Sequence, residues 1–200
     1  MEDIFTNIYE NNLWGNNKNS NYNGSSGGGS DIKYNKETYI PFLKQFILEN
    51  SIHTIVDLGC GDFRCGPIIY DDLDIKYTGY DAYNKIIIYN KNQYIEPKYN
   101  FLHLDFFIKK EEIINGDLCI LKDVLQHWST ENITLFLDYL VETKKYKYIL
   151  ITNCCNQIKD NVTISDGKFR GLNCKFLPLK KYNAIQIYKY GTKEVSIIEI

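Results

Sequence analysis

Hydrophobic positions along this chain fall into short apolar runs separated by amphipathic stretches. From residue 38 to 49, Tyr39, Phe42, Leu43, Phe46 and Ile47 recur at helical spacing, with Pro41 in the first turn, which predicts an amphipathic helix. The segment HTIVDLGCGD follows, an apolar strand broken by glycines. A weaker helical stretch at 67–72 leads to a second strand, KYTGYD, and residues 85–92 predict a helix although Ile86, Ile87 and Ile88 are β-branched. YNFLHLD and DLCILKD read as strands three and four. A helix from Thr130 to Lys144 follows, with Ser129 or Thr130 as its N-cap. YKYILIT is a fifth strand, and AIQIYKYGTKEVSIIEI predicts a hairpin turning around Gly191 to Lys193.

Strands alternating with helical segments imply a parallel sheet wound through right-handed crossovers. The apolar density of YILIT and LCIL fits central strands covered on both faces, whereas a tight turn joins antiparallel strands. The expected fold is therefore α/β and Rossmann-like. Its sheet has seven strands, mostly parallel, with a C-terminal antiparallel hairpin and helices on both faces.

Residues 31–200 form this domain. Residues 1–30 differ: NNLWGNNKNSNYNGSSGGGS, from Asn11 to Ser30, has the composition of a floppy linker. Against that, Ile4, Phe5, Ile8 and Tyr9 have helical spacing and Trp14 follows directly, the pattern of a helix and glycine loop that returns as a lid. Both readings stand on the sequence.

Composition narrows the class. The 200 residues are 44% hydrophobic and 24% charged, enough for a full core. A net charge of -2 gives no broad attraction to nucleic acid. No run approaches the roughly 18 to 20 apolar residues of a membrane span, and Met1-Glu2-Asp3 lacks the basic head of a signal peptide. A soluble, cytoplasmic protein is expected. The six cysteines have no paired spacing, so neither a disulfide framework nor a metal site is expected. Alanine occurs only at 82 and 184 and arginine only at 64 and 170, a bias toward Ile, Asn, Lys and Tyr that lowers the weight of any single Asn or Lys.

The chemistry begins at Ile55-Val56-Asp57-Leu58-Gly59-Cys60-Gly61-Asp62. A strand ends in an acidic residue and a G-x-G turn follows, where ligands bind in such sheets. Twenty residues after Gly61 the second strand ends in Asp81, placed to accept both hydroxyls of a ribose. A dinucleotide site would carry a third glycine where this chain has Arg64, and its phosphates would be repelled by Asp57 and Asp62. A cofactor with an ammonium and a sulfonium would not be repelled, which favours S-adenosylmethionine (SAM) over NAD.

With VDLGCGD, the YD of Asp81, the LHLD of Asp105 and DLCILKDVLQHW in this order, residues 52 to 155 resemble the class I SAM-dependent methyltransferases. The terminal hairpin is similar to that family's reversed seventh strand. The resemblance implies Asp57, Gly59 and Gly61 around the methionine part of S-adenosyl-L-methionine and Asp81 on its ribose. It also implies Asp105 and the Phe106 backbone on the adenine, and Lys122 on the methionine side. IYENNLWG followed by a Ser/Gly run ending in GS resembles small methyltransferases encoded near glycan-assembly genes in bacteria and large DNA viruses. That likeness implies a sugar or nucleotide-sugar hydroxyl as acceptor, and the cytoplasm of an infected host cell if the viral relationship holds.

On the acceptor side, methyl transfer mainly needs alignment, and a hydroxyl acceptor benefits from a base in reach. Asp123 and His127 lie four apart and would share one face of a helical turn, which makes them the candidate catalytic pair. His53 and His103 sit beside or within strands, where packing or surface roles suffice. Asn153 ends strand five, and Arg170 lies in the loop before the hairpin, where a guanidinium could hold a phosphate or carboxylate or simply face solvent. Arg64 could instead reach the cofactor carboxylate. Trp14 and Tyr22 suit stacking on an acceptor ring or pinning the N-terminal segment. The leading expectation is an O-methyltransferase for a small hydroxylated acceptor. An N-methyltransferase on a small molecule, protein or RNA, and a non-catalytic SAM-binding module, are the alternatives. RNA is disfavoured by the scattered lysines.

Overall fold

The computed structural model describes residues 1–17, 22–155 and 159–200; the stretch 18–21 of the Asn/Gly/Ser segment lies outside the described residues. The chain divides into two compact units, Met1–Glu112 and Ile113–Ile200.

The first unit opens with helix α1 (Glu2–Glu10), whose Ile8 and Tyr9 are buried. A short helix α2 (Ile32–Asn35) starts at Asp31, whose carboxylate accepts from the Lys33 and Tyr34 amides. Helix α3 (Tyr39–Glu49) buries Tyr39, Leu43 and Ile47 as its spacing predicts, together with Ile40, while Phe42 and Phe46 of the expected stripe are half-buried. Strand β1 (Thr54–Leu58), helix α4 (Gly66–Tyr70), strand β2 (Lys76–Asp81), helix α5 (Asn84–Gln93) and strand β3 (Tyr99–His103) follow. β2 pairs in parallel with β1 on one side and β3 on the other, with Asp57 opposite Gly79 and Asp81 opposite His103. Rings of Phe63, Tyr70, Tyr77, Tyr99 and Phe101 pack against one another at 4.6–6.5 Å and fill one side of this layer. The β-branched run in α5 does not prevent the helix, because Ile86 and Ile87 are buried and packing outweighs their small helical penalty.

The second unit contains β4 (Leu118–Lys122), helix α6 (Thr130–Thr143), β5 (Tyr148–Cys154), β6 (Ile185–Tyr190) and β7 (Lys193–Glu199). Ser129 caps α6 by accepting from the Asn132 amide, and Lys144 ends it in a left-handed conformation. Ile133, Phe136, Leu137 and Leu140 form its buried stripe, each contributing roughly 1.5–3 kcal/mol of burial. Four residues of β4 and five of β5 are fully buried, as continuous apolar runs should be. β4 and β5 are parallel, whereas β7 runs antiparallel to both β5 and β6. The strand order is β3-β2-β1-β4-β5-β7-β6 in a seven-stranded sheet. Five parallel strands and a closing hairpin with helices around them are the architecture expected from the sequence.

Candidate functional site

In the first unit, the ends of β1, β2 and β3 gather the acidic residues. The loop after β1 turns on Gly59 (φ 85°) and Gly61 (φ 54°), left-handed conformations that other residues adopt only with strain. Gly61 is also crowded: a Cβ there would lie 2.6 Å from Ser26 Oγ. The loop is stitched to its neighbours, since the Gly59 and Cys60 amides donate to the Tyr80 carbonyl and Asn90 donates to the Gly61 carbonyl.

Asp81 is the centre of this half. It is 7% exposed, and its two oxygens accept from the Gly61 amide (3.0 Å) and the Tyr83 amide (2.9 Å). Burial pushes its pKa up to about 6 in spite of those donors. Asp57 accepts from the Tyr77 hydroxyl at 2.8 Å. Asp105 accepts from the Met1 amino group and the Glu2 amide, each at 2.8 Å, and from the Ile108 amide. Burial raises its pKa, but these donors more than offset it and hold the carboxyl below its usual range. Phe106 is buried beside it.

Helix α1 and the Gly/Ser run are folded onto these residues. Tyr9 is buried and stacks on Tyr83 with centroids 4.5 Å apart. Its hydroxyl lies 2.9 Å from Ser26 Oγ, which in turn accepts from the Asp62 amide. Glu10 accepts from the Tyr83 hydroxyl and pairs with Lys85. Trp14 packs on Phe5 and Tyr9 within the segment itself, whereas Tyr22 packs on Tyr9 and on Tyr89 of α5 and so pins the segment. Arg64 pairs with Asp62 at 2.8 Å.

In the second unit, the residues after β4 depart from the expected helical face. Asp123 adopts a left-handed conformation (φ 62°), and the 3-10 turn Leu125–His127 begins only after it. Asp123 and His127 therefore do not share a helical face, although Asp123 lies near enough to raise the His127 pKa. The Asp123 carboxylate is clamped between Lys193 and Lys122. Burial raises its pKa, but the two lysines outweigh that and keep it ionised below its usual range.

His127 is 8% exposed. Its Nδ1 lies 3.0 Å from the Lys168 carbonyl, which can only accept, so Nδ1 carries the proton. Gln126 agrees independently: its Oε1 accepts from the Cys154 amide, which turns its NH2 group to His127 Nε2 at 3.4 Å and makes Nε2 the acceptor. Burial depresses the His127 pKa, aided by Lys193 and Arg170 and opposed by the Lys168 carbonyl. The result is a neutral imidazole with its basic lone pair on Nε2. Asn153 is buried one residue before the end of β5, which runs on to Cys154 rather than stopping at Asn153 as expected, and Arg170 is 6% exposed with Nη1 donating to the Leu125 carbonyl at 3.2 Å. The surface alternative for Arg170 is thereby corrected.

The fold can be matched to known structures. It aligns with the mitomycin 7-O-methyltransferase MmcR (TM-score 0.57, 13% identity, 80% of this chain and 54% of that one). It aligns with the methyltransferase domain of bacterial CtHen1-C (TM-score 0.63, 12% identity, 82% and 98%). It also aligns with the N-methyltransferase NodS of Bradyrhizobium japonicum bound to S-adenosyl-L-homocysteine (TM-score 0.61, 11% identity, 85% and 89%). The fold is that of the class I SAM-dependent methyltransferases. The chain spans about half the length of MmcR. No family model and no curated protein sequence matches it.

Motif reading placed Asp57, Gly59, Gly61, Asp81, Asp105, Phe106, Lys122, Asp123, His127 and Asn153 at strand ends and the loops that follow. It missed Tyr9, Ser26 and Lys193. Ser26 is one serine in a Gly/Ser run and Lys193 one of many lysines, so neither carried a local signal. Tyr9 was visible in the helical spacing but not in its role. No three His, Cys, Asp or Glu residues gather as a metal site among the described residues, and no helix there is long and apolar enough to cross a membrane.

Proposed function

We propose that this protein is a SAM-dependent methyltransferase that O-methylates a small hydroxylated acceptor, with a sugar or nucleotide sugar as the leading candidate. The observation that carries the reading is Asp81: a buried carboxylate, short of cationic partners, fixed by the Gly61 and Tyr83 amides at the end of β2. Such a group suits two ribose hydroxyls, which donate to a carboxylate. Asp57 and Asp105 supply further acceptors for the ammonium and the adenine amino group, and the left-handed turn at Gly59 and Gly61 brings backbone without side chains to the loop after β1. The residues present fit this cofactor, whose contribution is a methyl group activated on a sulfonium.

In the second unit His127 is the base. It takes the proton of the acceptor hydroxyl on Nε2 once the Gln126 NH2 group, 3.4 Å away, yields that lone pair, while the Lys168 carbonyl accepts from Nδ1–H and stabilises the imidazolium. Asp123, already neutralised by Lys122 and Lys193, orders the turn that carries His127 and is the weaker candidate for the base. Asn153 and Arg170 belong to the acceptor side. Residues 1–30 act as a lid on the cofactor residues: the amino-terminal donors on Asp105 give way to the adenine amino group, and Ser26 and Tyr9 hold the Gly/Ser run on the loop of Gly61.

Calorimetry with SAM and S-adenosyl-homocysteine (SAH) tests the cofactor, and mass spectrometry of hexoses, uronic acids and nucleotide sugars for a gain of one methyl tests the acceptor. Absence of SAM and SAH binding overturns the reading. Methylation of amino sugars alone, at nitrogen, would replace O-transfer by N-transfer. Cofactor binding without transfer to any acceptor class would favour a non-catalytic module.

A further inference from the structure

Arg170 is a buried cation that forms no ion pair among the described residues. Of its guanidinium nitrogens only Nη1 donates, to the Leu125 carbonyl, while Nε and Nη2 are buried and have no hydrogen-bond partner among the described residues. Burial lowers its pKa to about 10, which still leaves it charged at neutral pH; Asp166 is the one carboxylate that opposes this shift. Asp166 is committed elsewhere. Its Oδ1 accepts from the Ser129 amide and its Oδ2 from the Asn132 side chain, each at 2.7 Å. Unpaired buried charge and unpaired buried donors are both costly, so a fold that keeps them on one side chain has a use for them.

The unused donors have a shape. Nε and Nη2 form one edge of the planar guanidinium, the fork that matches two oxygens of a carboxylate or a phosphate. The loop that carries the fork is sewn to the turn that carries the proposed base. The Arg170 amide donates to the Gln126 carbonyl, the Gly167 amide to the His127 carbonyl, and His127 Nδ1–H to the Lys168 carbonyl. Asn153 Oδ1, one residue before the end of β5, is a buried acceptor that likewise has no partner among the described residues.

We propose that the Nε/Nη2 edge of Arg170 binds a carboxylate or phosphate carried by the methyl acceptor, which makes the acceptor an acidic hydroxyl compound such as a uronic acid or a sugar phosphate. The assignment to the acceptor rests on the methyltransferase reading; the anion site itself does not. The acceptor's anion sets its orientation, its hydroxyl lies toward His127, and Asn153 Oδ1 takes a second hydroxyl.

The chain's two arginines make a direct test possible, because the Nε–H region of a proton–nitrogen correlation spectrum then holds only Arg64 and Arg170, and R64K assigns them. The full chain, with and without saturating SAH, is titrated with glucuronate, glucose 1-phosphate and neutral glucose at constant ionic strength. The Arg170 signal is expected to shift saturably with an acidic probe and not with glucose. Calorimetry of R170Q should show at least tenfold weaker binding of that probe, with SAH affinity within twofold of wild type. An Arg170 signal unmoved by both anions overturns the proposal, and this measurement needs no folded R170Q. If R170Q instead weakens SAH but not methylthioadenosine, which lacks the carboxylate, the anion belongs to the cofactor and the acceptor assignment falls. If wild type binds an acidic probe through Arg170 but never binds SAH, the methyltransferase reading fails and takes the acceptor assignment with it.

Discussion

Replacing Asp81 by Asn separates its role in binding from its cost in folding. The carboxyl has a pKa of about 6 in the folded chain against an ordinary 3.8, because burial outweighs the Gly61 and Tyr83 amides. Between pH 4 and 6 the native state therefore keeps a proton that the unfolded chain has released. Stability must fall as pH rises through that window, by about 3 kcal/mol for a difference of about two units. D81N does not titrate, but its NH2 group faces one of the two amide donors, a loss of roughly 1–3 kcal/mol at every pH. D81N should thus be less stable than wild type at pH 4 and should gain about 3 kcal/mol relative to it by pH 7, ending level or ahead. Urea unfolding of both proteins from pH 4 to 8 measures this difference. A gap constant to within about 1 kcal/mol would refute the reasoning about burial. At pH 7 the same variant should bind SAH roughly 100-fold more weakly or worse, since two hydrogen bonds to a charged group are lost at about 1.5–3 kcal/mol each. Unchanged affinity would remove Asp81 from the ribose.

Three further outcomes follow from the same geometry. H127A should lower kcat by roughly 10²- to 10⁴-fold with SAH affinity intact; because burial depresses the His127 pKa, wild-type turnover should stay flat from pH 8 to below 6.5, and an acid limb above 6.5 would contradict a neutral buried base. D123N leaves the buried Lys193 ammonium without its main partner and should cost about 3–5 kcal/mol in urea unfolding. That gap should shrink as pH falls below about 4, because Asp123's depressed pKa means its stabilisation is present above the unfolded value and lost on protonation; a gap unchanged at pH 3 would show that the ion pair is not its source. S26A removes the oxygen that joins Tyr9 to the Asp62 amide, about 1 kcal/mol, so amide exchange at Tyr9 and Asp62 should quicken about fivefold, and unaltered exchange would show that the N-terminal segment is not held there.

Local pattern and overall fold agree closely in this chain. Each apolar run from Ile55 to Leu58, Leu118 to Leu121 and Ile149 to Ile151 became a buried strand, and the stripe Ile133, Phe136, Leu137 and Leu140 became the inner face of α6. Period and capping are carried by neighbours a few residues apart, so a reader of the sequence has all the terms that matter. The expectation that failed at this level was a helical face shared by Asp123 and His127. It failed because Asp123 takes a left-handed backbone, held where Lys193, seventy positions later, reaches its carboxylate. Spacing four apart implies a shared face only where the backbone stays helical.

The sequence by itself determined the order of strands and helices, the glycine turn after β1 and the acidic strand ends at Asp57, Asp81 and Asp105, because these depend on local backbone preference and hydrophobic period. Tertiary structure decided what the polar groups meet. It set Tyr9 and Ser26 against the loop of Gly61 and put Asp123 between two lysines. It fixed the His127 tautomer through the Lys168 carbonyl and buried Arg170 with two of its three guanidinium nitrogens idle. Those outcomes rest on contacts between residues dozens of positions apart and on how much water each group loses, and neither quantity is written in any short stretch of chain.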